Sequence, residues 1–107
     1  MSDDTSGVSD AYRVFLTEAP AHAQAWMTAA QGLGAASALD ARTEELAYLA
    51  VLAALRLESG VPFHVRHAKA AGASRDEVIS ALLVGLPAAG TGVTACLPAA
   101  LRAYDED

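Results

Sequence analysis

A carboxylate and an imidazole that approach each other from two adjoining helices make an acid/base pair, because each tunes the other's proton affinity toward neutrality. In this sequence the candidates are Glu45 and His64. Glu45 lies about one turn into a long apolar-periodic stretch that continues through Leu46, Leu49, Val51, Leu52 and Leu55. Its side chain can therefore be directed into an interface or cleft; the alternative is a first-turn glutamate that stabilises the helix N-terminus. His64 stands in the first turn of the following helix, between Phe63 and Val65. The alternative reading there is a core or interface histidine with a satisfied hydrogen bond. His67, three residues on, shares a helix face with His64, and with Glu45 the two imitate a two-histidine, one-carboxylate metal site. No further ligand is placed by spacing, so His67 reads as an interfacial polar residue, and neither metal nor cofactor is expected. Arg56 follows Glu45 by eleven residues, about three helical turns, which puts the two on one face at opposite ends of the helix. A guanidinium there can anchor a substrate carboxylate, or form a structural ion pair with Glu58 or another subunit. Cys96, preceded by Thr94 and Ala95, has no histidine at fixed spacing to activate it and reads as a buried small hydrophobe.

The elements that must hold these residues are all helical. Tyr12, Phe15 and Leu16 recur at helical spacing after Ser9, and Pro20 sits where a second helix, with Ala23, Trp26, Met27 and Ala30, would carry it in its first turn. Gly32, Gly34 and Ser37 break that pattern. Asp40 is a plausible N-cap for a third helix over residues 41–57. The turn 58–62 leads into a fourth over residues 61–71, which Gly72 ends. Ser74-Arg75-Asp76-Glu77 has the form of a capping box and opens a fifth through Val78, Ile79, Leu82 and Leu83. Pro87, Gly90 and Gly92 interrupt the chain before a last helix over residues 93–104. No stretch alternates as a half-buried strand would. The expectation is an all-α, single-domain bundle of about six helices over residues 9–107, preceded by a polar, acidic tail over residues 1–8.

Composition bounds the partners. The 107 residues are 53% hydrophobic, and mean hydropathy is +0.27, enough for one core and more apolar surface than a chain this short can hide alone. A homo-oligomer is therefore expected. Seven Lys and Arg against thirteen Asp and Glu leave a net charge of −6 and no basic cluster, so nucleic acid is not an expected partner. Charged residues interrupt the apolar stretches before any reaches the roughly 18 residues of a membrane span. The N-terminal residues have no signal-peptide pattern, which gives a cytoplasmic expectation. A single cysteine rules out a disulfide framework and a dithiol centre within one chain.

The runs 39–46, 56–65 and 68–78, among them Arg56-Leu57-Glu58-Ser59-Gly60-Val61-Pro62-Phe63-His64 and Gly72-Ala73-Ser74-Arg75-Asp76-Glu77, resemble the carboxymuconolactone decarboxylase and alkylhydroperoxidase D superfamily. The resemblance covers roughly residues 20–104. It implies that fold, trimers or hexamers with the site between subunits, and a family glutamate and histidine at Glu45 and His64. In the peroxidase branch a Cys-x-x-C pair completes a proton relay with these two; the same alignment puts Leu57 and Gly60 at the cysteine positions, and neither forms a thiolate. What remains is similar to the decarboxylase branch, which also lacks the cysteines. There His64 would transfer the proton and Glu45 would set its tautomer. Arg56 or a neighbouring subunit would hold an anionic group, and Leu57 and Gly60 would leave room for a small organic acid or lactone. The tyrosine-containing pattern of that branch after the fifth helix is replaced here by Leu86-Pro87-Ala88-Ala89-Gly90. The function implied is decarboxylation, elimination or ring closure without a cofactor. A tailoring enzyme of a specialised biosynthetic pathway, or a non-catalytic ligand- or partner-binding relic, are the alternatives.

Overall fold

Helix starts are set by side chains that accept otherwise unpaired backbone N–H groups. In the computed structural model, which describes residues 8–106, Ser9 accepts from the Tyr12 amide and opens α1, Asp10–Glu18. Pro20, lacking an N–H, begins α2, Pro20–Ala36. The Asp40 carboxylate accepts from the Thr43 amide at 2.8 Å and opens α3, Ala41–Leu55. A 3₁₀ turn, Glu58–Gly60, leads into α4, Val61–Ala70. The capping box is formed as expected: Ser74 accepts from the Glu77 amide while the Glu77 carboxylate accepts from the Ser74 amide, opening α5, Arg75–Leu83. A one-turn helix α6, Leu86–Ala89, a 3₁₀ segment, Thr91–Cys96, and α7, Leu97–Asp105, complete the chain. No strand occurs among the described residues.

Burial follows the helical period. Leu49, Leu52 and Ala53 of α3, Val61, Val65 and Ala68 of α4, Val78 and Leu82 of α5, and Ala100 and Ala103 of α7 form one core with Val93 and Cys96. α3 is its centre, packed on α5 on one side and α4 on the other, with α7 laid across α4. The Tyr104 hydroxyl donates to the Ala73 carbonyl at 2.7 Å and ties α7 to the turn before α5. The hairpin of α1 and α2 stands apart from this core: α2 packs substantially only on α1, and of its seventeen residues only Ala23 is buried.

Three boundaries differ from the sequence reading. α2 runs through Gly32 and Gly34 to Ala36; both glycines stand in open space, and the roughly 1 kcal/mol each costs an alanine-rich helix does not stop it. α3 ends at Leu55, because Arg56 turns into the left-handed region. The last helix is split: Thr91–Cys96 is 3₁₀, and Pro98, which has no N–H to continue that ladder, falls in the first turn of a fresh α-helix. Apart from Val8, the expected tail over residues 1–8 lies outside the described residues.

Candidate active site

The Asp40 cap fixes the phase of α3, and Glu45 then lies on the same face as Leu49 and Leu52, four and seven residues on. On α4, Val61, His64, Val65 and Ala68 likewise share a face. Packing the two apolar faces together brings the polar members of each into contact. His64 Nδ1 lies 2.9 Å from Glu45 Oε2, both within one chain, and both side chains are 23% exposed. An ionised carboxylate only accepts, so Nδ1–H donates and Nε2 is left as the imidazole's free position. The first-turn role considered for Glu45 belongs instead to Glu44; Glu45 is one position too far along.

Two aromatic rings hold the imidazole. Tyr48 stacks on it with ring centroids 4.2 Å apart and planes at 28°, and Phe63 meets it edge-on at 5.3 Å. Tyr48 escaped the sequence reading, although its position three residues after Glu45 on the same helix was the available signal. His67 packs on Phe63, with ring centroids 4.2 Å apart. It does not converge with Glu45 and His64, and among the described residues no three His, Cys, Asp or Glu side chains gather as a metal site requires.

Leu57 and Gly60 occupy the connection between α3 and α4. Leu57 is exposed, and a Cβ on Gly60 would make ordinary contact with Leu52 Cδ2 at 3.5 Å, so its glycine leaves a methyl-sized gap over the core. Arg56 makes no ion pair with Glu58. The left-handed backbone at Arg56 turns its guanidinium onto Gly92 of the 3₁₀ segment instead. Cys96 is fully buried as expected, and burial together with the Glu58 carboxylate pushes its thiol pKa up, so it stays protonated and inert.

Two open grooves lie elsewhere on the surface and do not include the pair. One of about 640 Å³ runs between α3 and α5 over Leu46, Ala47, Ala50, Ala81 and Val84. The other, of about 590 Å³, lies between α1 and α2 and is lined by Tyr12, Phe15, His22 and Trp26. Glu45 and His64 face the surface between α3 and α4, where Tyr48 (47% exposed) and Val51 continue an apolar stripe.

Among known proteins, the family model described as "Carboxymuconolactone decarboxylase family" matches residues 20–106. No curated protein and no solved structure matches this chain.

Proposed function

We propose, starting from the fact that this chain belongs to the carboxymuconolactone decarboxylase family, that it is a cofactor-free acid/base enzyme acting on a small organic acid or lactone. The observation that carries this reading is the 2.9 Å contact between His64 Nδ1 and Glu45 Oε2. A carboxylate in that position fixes the tautomer and stabilises the imidazolium that forms when Nε2 takes up a proton. In a decarboxylation the bond to the carboxylate carbon breaks and carbon dioxide leaves. The electron pair is delocalised into the neighbouring lactone carbonyl, and Nε2–H then delivers the proton to carbon, to be replaced from water. Tyr48 and Phe63 keep the ring from swinging out of line, which is worth rate because proton transfer needs a heavy-atom approach near 3 Å. Leu57, Gly60 and His67 are proposed to border the substrate.

Assembly belongs to the same proposal. Trp26 (52% exposed), Met27 and Leu33 of α2, and Val51 of α3, are large exposed apolar side chains in the single chain. A second copy laid on them would also close the open side of His64 and exclude water from it.

A carboxylated γ-lactone incubated with the protein should release carbon dioxide, and His64→Ala should lower that rate by about 10²-fold or more while leaving the helical circular dichroism unchanged. Equal rates for the two proteins would overturn the assignment.

A further inference from the structure

At the C-terminal end of α3 two residues stand in each other's expected places. Arg56 has φ 58° and ψ 38°, the only positive φ at a non-glycine residue among those described. Its amide bonds back to the Ala53 and Leu52 carbonyls, and the Leu57 amide reaches Leu52 O at 2.9 Å. This is the helix end at which glycine is the ordinary occupant, because a Cβ is strained there. Thirty-six residues on, Gly92 has a backbone that asks for no glycine, since among the described glycines only Gly72 and Gly90 have positive φ. What lies over it is Arg56: a Cβ on Gly92 would meet the guanidinium, which would have to shift. The left-handed turn aims the arginine, and the bare glycine receives it.

The guanidinium is an exposed cation lying over Gly92, and it is uncompensated. The Arg56 guanidinium makes no hydrogen bond and no ion pair among the described residues, although the chain is acidic and Glu58 is two residues away. Of the other arginines, Arg42 pairs with Glu77, Arg66 with Glu106 and Arg75 with Asp105. On either side of Arg56 in the chain stand two exposed leucines, Leu55 at 63% and Leu57 at 49%. We infer that Arg56 and Gly92 form a binding site for an apolar monocarboxylic acid. Its carboxylate would take the planar fork of the guanidinium and its hydrocarbon would lie on Leu55 and Leu57. Eleven residues of α3 put Arg56 about 16 Å along the helix from Glu45, and the site shares only Leu57 with the surface proposed above to border the substrate. It does not depend on that pair being catalytic.

The test is a titration of the isotope-labelled protein with hexanoate, and with hexanamide as the neutral control, followed by the backbone amide of Gly92 and the Arg56 Nε–H. Saturable shifts at both are expected with hexanoate and not with hexanamide. Arg56→Gly should weaken hexanoate at least tenfold while leaving the melting temperature equal or higher, because glycine suits that backbone. Arg56→Lys keeps the charge without the fork and should weaken it several-fold. His64→Ala should bind hexanoate as the parent does, so that loss of the acid/base reading and loss of this one are told apart. The inference is overturned by the absence of saturable shifts, by an unchanged affinity in Arg56→Gly, or by Arg56 and Gly92 signals that move with protein concentration alone. That last result would mean that a carboxylate of a second copy occupies the arginine.

Discussion

Glu45 and His64, nineteen residues apart in the chain, meet through a single 2.9 Å contact between Oε2 and Nδ1. The contact follows from two apolar faces that have to pack: Leu49 and Leu52 on α3 bury against Val61 and Val65 on α4, and the polar residue at the matching edge of each face is carried along. Glu45→Gln keeps an oxygen for the Nδ1 proton but removes the charge that stabilises the imidazolium. It should lower turnover by about 10²-fold with little change in KM, a result read from steady-state kinetics on the lactone acid. Both side chains are partly solvated, so its melting temperature should stay within a few degrees of the parent's.

Ser74 and Glu77 close the cap of α5 reciprocally, and Glu77 also reaches Arg42 on α3. Ser74→Ala removes the acceptor for the Glu77 amide and should cost about 1 kcal/mol. In a denaturant titration this appears as a lower midpoint with an unchanged slope.

Acid should weaken the fold through three carboxylates. The Thr43 amide lowers the Asp40 pKa. The Ser74 amide, and then Arg42, lower that of Glu77, and Arg75 lowers that of Asp105. A depressed carboxylate means that the unfolded chain binds more protons, so the stabilisation is complete above the ordinary carboxylate range and is lost as pH falls through the folded values. The melting temperature should therefore be nearly flat from about pH 7 to 5 and drop steadily below about pH 4. A curve still flat at pH 2.5 would contradict these contacts.

Much of this fold can be read without coordinates, because caps and breakers act locally. Asp40, Ser74 and Pro20 each mark a helix start by chemistry confined to one turn, and all three act as that chemistry requires. The Glu45 and His64 candidates were legible for the same reason, as polar residues interrupting apolar helical faces. Tyr48 and Gly92 were not, since each owes its role to a neighbour: a ring that another helix delivers, and an arginine thirty-six residues earlier. Arg56 misled the boundary of α3 because nothing in its own side chain announces a left-handed backbone; the reason for it lies across the fold.

The exposed face of α2 makes assembly testable. Trp26→Glu places a charge among Met27 and Leu33 and should shift the protein to a smaller species by light scattering on a sizing column, with the helix content retained. A single chain of 11.0 kDa for both proteins would contradict the proposed cover.

Cys96 should resist a thiol-specific reagent in the native protein and react fully once denaturant is added, since its sulfur is enclosed by the core and its pKa is raised. Rapid labelling of the native protein would mean that the segment Thr91–Cys96 opens readily.

Proton transfer by His64 is tested most directly without decarboxylation, by following exchange of the α-hydrogens of a β,γ-unsaturated γ-lactone for deuterium in heavy water by proton NMR. The account predicts catalysed exchange by the parent protein, a rate lower by about 10²-fold in Glu45→Gln, and the uncatalysed rate in His64→Ala. Exchange no faster than in buffer, or exchange undiminished in His64→Ala, would contradict it.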